Sequence, residues 1–260
     1  MIIGAIAGDI IGSRFEFNNL KSKGFELFTP ECKFTDDSIM TLALCEAYCT
    51  GSGYQDKMVE FYKLYPNAGY GKRFKQWCND PSRGPYNSFG NGAGMRIGPC
   101  AYVRSTLESC LNSAQTMTET THNHAEGIKG AKAIAGCTFL ARTGKSMTEI
   151  REFAESLGYP MAQVLDEIRP DYKFDVSCQG SVPWAIQAFL ESTNYEDAIR
   201  NAISIGGDSD TLACMAGAIA GAYYKDLGID KDGVSIADKA RCFLDGRLTD
   251  VLDKFELMFS

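Results

Sequence analysis

Two stripes of small residues constrain the fold of this chain more than any other feature. They recur at every fourth position in two apolar segments near opposite ends of the sequence: Gly4, Gly8 and Gly12, and Ala213, Gly217 and Gly221. On a helix, residues at this spacing share one face, and each interior glycine costs roughly 1 kcal/mol relative to alanine. Another backbone must approach closely to compensate, so we predict that the two helices cross tightly at the centre of the fold. A strand over residues 2–7 is the alternative, because an apolar run also suits a buried strand.

The rest of the chain repeats a helical pattern of apolar residues, and no segment shows sustained strand-type alternation. We therefore predict an all-α protein, a single compact domain over residues 1–260 in which many short helices pack orthogonally. Residues 79–94 hold too many glycines and prolines for regular structure. The predicted helices cover residues 1–12, 39–49, 54–64, 71–78, 95–114, 126–143, 147–157, 160–168, 182–190, 195–204, the run after residue 208, 233–243 and 247–258.

Composition and charge narrow the function. With 45% hydrophobic residues, the 260-residue chain can bury a substantial core. Its net charge of −7 argues against a nucleic-acid-binding surface, which requires clustered lysine and arginine. We find no charged leader and no apolar stretch of membrane-spanning length, so we expect a cytoplasmic, monomeric enzyme. Ten scattered cysteines without a CxxC pair predict free, buried thiols. A structural zinc site is not expected, because neither of the two histidines lies at zinc-finger spacing from a cysteine pair.

Two oxygen-rich segments each open an apolar helical run: residues 35–38 (TDDS) and residues 206–211 (GGDSDT). Either segment alone is typical of helix capping, with Asp208 as the expected N-cap of its helix. Together they offer four carboxylates and two threonine hydroxyls, which suit hard cations such as Mg²⁺ or Mn²⁺. An EF-hand is excluded because neither segment has the DxDxDG loop with a distal glutamate. The pattern predicts that the two helix starts meet around one or two divalent cations.

Three further features leave alternatives open. Glu16 lies between two phenylalanines and is either a solvated loop residue or a functional acid. The glycine-rich residues 90–94 could face a ligand with free N–H groups, although their spacing fits neither a P-loop nor a dinucleotide-binding turn. His122 and His124 cannot share a helical face, so one of them lines a pocket or both belong to a plain helix-start turn.

The ordered set of motifs resembles the ADP-ribosylglycohydrolases related to the dinitrogenase-reductase-activating glycohydrolase. The matching segments are residues 8–9 (GD), 13–16 (SRFE), 35–38 (TDDS), 90–96 (GNGAGMR), 121–124 (THNH), 179–183 (QGSVP) and 206–211 (GGDSDT). The resemblance implies an all-α fold with two Mg²⁺ or Mn²⁺ ions. It also implies hydrolysis of the bond between C1″ of ADP-ribose and a protein side chain, arginine by default, or a small acceptor. A hydrolase of a small conjugate such as O-acetyl-ADP-ribose is one alternative, and a non-catalytic ADP-ribose-binding or structural protein is another.

The resemblance also assigns roles by position. The expected metal ligands are Thr35, Asp36, Asp37, Asp208, Asp210 and Thr211. The expected catalytic groups are Glu16, at the metal edge, with Asp36 and Asp37. The expected ADP-ribose pocket comprises Ser88, Phe89, Gly90, Asn91, Gly92, Met95, His122, His124, Gly180 and Ser181. The expected partner is an ADP-ribosylated protein or a small ADP-ribose conjugate.

Overall fold

The computed structural model describes residues 1–259, and within that range it contains fifteen helices and no strand. Ser260, the last residue of the predicted domain, lies outside the described residues. The all-α prediction is confirmed. The helices are α1 (Ile3–Gly12), α2 (Asp36–Thr50), α3 (Tyr54–Leu64), α4 (Lys72–Asn79), α5 (Gly92–Met95), α6 (Cys100–Val103), α7 (Leu107–Thr118), α8 (Ala125–Arg142), α9 (Met147–Ser156), α10 (Leu165–Ile168), α11 (Cys178–Leu190), α12 (Tyr195–Ser204), α13 (Ser209–Tyr224), α14 (Ile236–Arg241) and α15 (Gly246–Phe259).

The predicted crossing of the two small-residue stripes is confirmed. A Cβ atom placed on Gly4 of α1 would lie 2.6 Å from the carbonyl oxygen of Gly217 in α13, and one on Gly8 would lie closer still to the backbone of Ala213. At the end of α1, a Cβ on Gly12 would meet the Cα of Asp210 at 2.6 Å. The absence of side chains on one helix therefore lets the other approach at backbone distance. The alternative of a strand over residues 2–7 is wrong, because α1 covers them from Ile3 onward.

Helix α13 occupies the centre of the molecule and packs against α1, α8, α11 and α12. Fourteen of its sixteen residues are buried, so the helix is enclosed on every face, and after the polar first turn its residues are apolar up to the two tyrosines at its end. The ten cysteines are all free, and all but Cys49 and Cys242 are buried, which agrees with the predicted reduced thiols. No helix within residues 1–259 is long and apolar enough to cross a membrane.

The prediction of one helix over residues 95–114 is wrong. The structure divides this stretch among the end of α5, the short α6 and the start of α7. Thr106 begins α7 with a capping box, in which its hydroxyl accepts from the N–H of Ser109 and the Ser109 hydroxyl accepts from the N–H of Thr106. Because both hydrogen bonds of the capping box are made, a new helix starting after Thr106 is more favourable than a continuation of the preceding helix. The predicted helices at 160–168 and 233–243 are also shorter than expected, since only α10 and α14 form there.

Candidate active site

Three helix ends converge on one cluster of carboxylates. The close approach of α1 and α13 brings the end of α1 to the start of α13, and the start of α2 packs beside them. One carboxylate oxygen each from Asp9, Asp37 and Asp210 lie within 4.8 Å of one another, and the same holds for Glu16, Asp208 and Asp210. Asp210 belongs to both groups. The structure therefore brings the two predicted helix starts together, with Asp9 and Glu16 added from the first helix and the loop after it.

The electrostatics of this cluster favour a bound cation. Burial and the negative charges of their neighbours raise the pKa of Asp37 and of Asp210 well above the usual range. The same causes raise the pKa of Asp36 to about 8. The Oδ1 atom of Asp37 is buried and has no hydrogen-bond partner. A divalent cation would satisfy this oxygen and remove the repulsion, so the residues present fit a site for a hard, oxygen-liganded metal.

Asp9 fixes the start of α2. Its carboxylate accepts hydrogen bonds from the N–H and the hydroxyl of Thr35, at 2.9 and 2.7 Å, and from the N–H and the hydroxyl of Ser38. Thr35 in turn caps α2 by accepting from the N–H of Asp37 at 3.3 Å. Sequence reasoning placed Asp9 near the site without giving it a role. The sequence feature that indicated Asp9 was its position directly after Gly8, which belongs to the stripe of small residues that contacts α13.

The expected N-cap bond of Asp208 is absent. Its side chain makes no hydrogen bond to the start of α13 and accepts instead from the side-chain amide of Asn91 at 2.6 Å. The preceding Gly206 and Gly207 have positive φ angles of 73° and 77°, a conformation that glycine adopts without strain. Asp208 was expected both to cap α13 and to bind metal. The structure shows no capping hydrogen bond from its side chain.

A cavity of about 390 Å³ opens beside the carboxylate cluster. Most of the residues predicted for the site line it, whereas Thr35 is buried and does not line it. The predicted residues on the wall are Glu16, Asp36, Asp37, Ser88, Gly90, Asn91, Gly92, Met95, His122, Asp208, Asp210 and Thr211. Four residues predicted for the pocket do not line the cavity: Phe89, His124, Gly180 and Ser181.

These four residues lie behind or beside the wall. Phe89 is partly exposed and packs on the ring of His124, with the ring centroids 5.2 Å apart. His124 caps α8 by accepting from the N–H of Glu126 at 3.1 Å. Ser181 is fully buried and accepts from the side-chain amide of Asn91 at 3.1 Å, while the carbonyl of Gly180 accepts from a neighbouring tyrosine hydroxyl. The structure therefore separates the two histidines, because His122 lines the cavity and His124 caps a helix.

A second part of the cavity wall, here called the cationic end, carries Arg73 and Arg96 near His122, together with Lys72. Buried Arg96 donates to Nδ1 of His122 at 3.0 Å, and an arginine can only donate, so Nδ1 accepts and the ring proton resides on Nε2. Burial and the charges of Arg96 and Arg73 hold the pKa of His122 well below its usual range, which keeps the ring neutral. Nε2 faces the glycine loop, 3.4 Å from where a Cβ on Gly92 would lie.

Sequence reasoning missed several residues of this end. Lys72 and Arg73 follow Gly71 at the start of α4, and the Arg73 guanidinium lies over the ring of Tyr86 at 4.9 Å from its centroid. Nothing in the local pattern distinguishes these side chains from an ordinary solvated helix start. Arg96 was within a quoted motif, but its role depends on contacts with residues 25 or more positions away.

The fold and the cavity define an all-α enzyme domain with a carboxylate-rich site. A sequence model of the family described as ADP-ribosylglycohydrolase matches residues 1–254, and the chain belongs to that family. The resemblance seen in the motifs is confirmed, and the protein is an enzyme of the ADP-ribosylglycohydrolase type, a hydrolase that removes ADP-ribose.

Individual relatives show the same likeness. The chain is 26% identical to ADP-ribosylhydrolase ARH3 of Homo sapiens, over 86% of this chain and 84% of that protein. It is 26% identical to ADP-ribosylarginine hydrolase Tri1 of Pseudomonas putida, over 90% of this chain and 72% of that protein. Among solved structures, a chain of an "ADP-ribosylglycohydrolase-related protein complex" superposes with a TM-score of 0.70 at 22% identity, covering 98% of this chain and 95% of that one. This last likeness concerns the fold.

Proposed function

We propose that this protein is a divalent-cation-dependent hydrolase that cleaves the bond between C1″ of ADP-ribose and an acceptor side chain, with arginine as the default acceptor. The observation that carries the proposal is Asp210, whose carboxylate belongs to two acidic groups beside a cavity whose wall also carries cationic groups. Two acidic groups sharing one carboxylate match a pair of Mg²⁺ or Mn²⁺ ions with a bridging ligand.

The proposed ligands are Thr35, Asp36, Asp37, Asp208, Asp210 and Thr211, with Asp9 holding the start of α2 in place. Bound ions would supply Lewis-acid polarisation at the ribose hydroxyls and the anomeric centre. Glu16 is half-buried at the cluster's edge, and burial together with the Asp208 charge raises its pKa to about 7. A carboxyl group with this pKa can take a proton from water near neutral pH as the hydroxyl adds to C1″. The bond between C1″ and the acceptor nitrogen breaks as the hydroxyl adds, and the nitrogen takes up the proton that Glu16 received from water.

The rest of the predicted set would bind the ADP-ribose moiety. Nε2–H of His122 would donate to the diphosphate, whose charge Lys72 and Arg73 would balance. The N–H groups of Gly90, Asn91, Ala93 and Gly94 already donate within the protein, so the expectation that this loop offers them free to a ligand is wrong for these four. Ser88, Gly90, Asn91, Gly92 and Met95 form the proposed wall, while Phe89, His124, Gly180 and Ser181 would support it from outside the cavity. The acidic end then receives the distal ribose, because hydroxyls are ligands for cations and the diphosphate is repelled there.

The choice of acceptor draws on the relatives. Tri1 is named an ADP-ribosylarginine hydrolase, which supports an arginine-linked substrate and an ADP-ribosylated protein as the partner. ARH3 is named an ADP-ribosylhydrolase without a stated linkage, so hydrolysis of a small conjugate such as O-acetyl-ADP-ribose is the second candidate. Turnover on arginine-linked, serine-linked and O-acetyl substrates separates these possibilities.

The test of cation-dependent hydrolysis is release of ADP-ribose from a modified protein after chelation and re-addition of Mg²⁺ or Mn²⁺. We expect Asp36→Ala and Asp208→Ala to lose more than about 100-fold in rate, because each removes a ligand that would hold charge at the reacting centre. Asp250→Ala, on the exposed side of α15, is the matched control and should retain full activity. Full cation-restored activity in either ligand variant would exclude the assignment.

A further inference from the structure

An exposed pair of phenylalanines lies beside the acidic end of the cavity. Phe17 is 85% exposed and Phe174 is 46% exposed, and their rings stack with centroids 6.0 Å apart and an interplanar angle of 24°. Phe17 directly follows Glu16, and Phe174 stands two residues before Val176, and both Glu16 and Val176 line the cavity. Two exposed aromatic rings leave apolar surface in water that folding would otherwise bury. This pair is therefore a candidate binding surface.

The segments that carry the two rings are fixed to each other. The side-chain amide of Asn19 donates to the carbonyls of Glu16 and Gly207, both at 2.9 Å, and its oxygen accepts from the N–H of Gly207 at 2.7 Å. Lys21 donates to the carbonyl of Tyr172 at 2.7 Å. Lys21 thus joins the loop after α1 to the segment before α11, and Asn19 joins the same loop to the turn before α13. The rings are held in a common arrangement before any ligand arrives.

The surroundings of the pair are acidic on the side of the cavity. Glu16 and Asp208 lie within the same carboxylate group, and Asp175, next to Phe174, is close enough to Asp208 to raise the pKa of that carboxyl further. Ring faces flanked by carboxylates attract planar cations, because the electron-rich face and the negative charges act in the same direction. If the diphosphate lies at the cationic end and C1″ at the carboxylates, the acceptor would lie on the side of Glu16.

We propose that Phe17 and Phe174 form an acceptor subsite that takes the guanidinium and aliphatic stem of an arginine residue linked to ADP-ribose. The inference rests on the proposed function, since it concerns the acceptor of the same reaction. It adds a specificity determinant outside the cavity: the pair favours an arginine-linked substrate over an ester-linked one, whose acceptor has no cation to stack on the rings.

The experiment compares Phe17→Leu and Phe174→Leu with wild type on arginine-linked ADP-ribose and on O-acetyl-ADP-ribose. Leucine keeps the apolar bulk and removes the aromatic face. We expect KM for the arginine-linked substrate to rise roughly 3- to 30-fold, while KM for the acetyl ester and inhibition by free ADP-ribose change less than about 2-fold. Phe17→Tyr keeps the ring face and should restore the wild-type value. Leu257→Ala, 88% exposed on α15, is the matched surface control.

Binding in a catalytically silent background separates this inference from the proposed function. In an Asp36→Asn protein, calorimetry gives the affinity for arginine-linked ADP-ribose relative to ADP-ribose alone, whether or not the wild type turns the substrate over. A ratio that the leucine substitutions lower supports the subsite even if hydrolysis is directed at another linkage. Equal losses of affinity for all ligands would overturn the proposal, since the pair would then only support the fold. Leucine variants that bind like wild type, while Phe17→Ala and Phe174→Ala lose affinity, would also overturn it, since the pair would then be a general apolar surface.

Discussion

Asp9 shows how a single residue can organise a site without lining the cavity. It is fully buried, and burial raises its pKa, yet four donors from Thr35 and Ser38 converge on its two oxygens. These bonds satisfy a charge that would otherwise be costly, and they set the orientation of the first turn of α2. Asp36 and Asp37 follow from that orientation, because both lie in the turn that Asp9 holds.

His122 provides a test at the residue scale. Because its pKa is held well below 6.5, the folded protein keeps the ring neutral at pH values where the unfolded chain protonates it. The stability that the neutral ring contributes is complete above pH 6.5 and is lost as the pH falls toward the pKa of the folded state. Replacing His122 with asparagine removes this dependence.

We therefore expect the free energy of unfolding of wild type to fall more steeply between pH 7 and 5 than that of His122→Asn. The difference in slope should reach up to about 1.4 kcal/mol per pH unit. Urea unfolding at a series of pH values, with chelator present throughout, measures both slopes. Both proteins contain the same carboxylate cluster, so its titration cancels in the comparison. Parallel profiles would contradict a neutral, buried His122.

At the scale of elements, the contact of α1 with α13 decides where the site forms. Gly4, Gly8 and Gly12 allow backbone-to-backbone packing, and the crossing places the end of α1 against the first turn of α13. The same geometry carries Asp9 and the loop after α1 to Asp208 and Asp210. The stripe is thus a structural requirement of the carboxylate cluster, although none of its glycines contributes a functional group.

We expect Gly8→Ala to lower the free energy of unfolding by about 3 kcal/mol or more, because the new methyl group would overlap the backbone of Ala213 and neither backbone can move alone. Urea unfolding at pH 7 measures the change. Gly246→Ala, at the first residue of α15 where a Cβ meets nothing within 4 Å, is the matched control and should stay within about 0.5 kcal/mol of wild type. A Gly8→Ala protein as stable as that control would show that the helices do not pack this closely.

At the scale of the whole molecule, the carboxylate cluster is an unfavourable group of buried acids within an otherwise stable fold. Five aspartates and Glu16 from three parts of the chain meet where burial disfavours ionisation, and only polar contacts and a cation can offset the repulsion. Because the site forms only in the folded state, any ion that binds it stabilises the entire domain.

We expect Mg²⁺ or Mn²⁺ to raise the melting temperature of chelator-treated protein. At 100 times its dissociation constant the ion adds about 2.7 kcal/mol, which corresponds to roughly 5–10 °C for a chain of this length. Asp210→Asn should abolish most of the shift, because it weakens both carboxylate groups at once. Differential scanning calorimetry with NaCl at matched ionic strength controls for general screening. An equal shift in NaCl, or in Asp210→Asn, would exclude specific binding.

Much of the fold could be predicted because its signals are local. Apolar periodicity and the spacing of the small residues act within a few positions, so most of the helices follow from them. The structure adds local caps at Thr35, Ser146 and Asn194, which set where three of these helices start. The prediction failed over residues 95–114, where the capping box at Thr106 begins a new helix and interrupts an apolar pattern that continues past it. Placements of the individual site residues by resemblance stay predictions, as does the monomeric state.

The sequence by itself determined most of the segments that become helices, and it indicated that two of them cross at backbone distance. It also identified two acidic helix starts that could form one site. Only the tertiary structure decided that Asp9 orders α2, that Asp208 turns to Asn91 instead of capping α13, that His122 and not His124 faces the cavity, and that Lys72, Arg73 and Arg96 form its cationic end. The physical reason is distance along the chain: propensities and caps depend on neighbours within a turn or two. The pairing of charges, donors and ring faces depends instead on contacts between residues far apart, which packing alone creates.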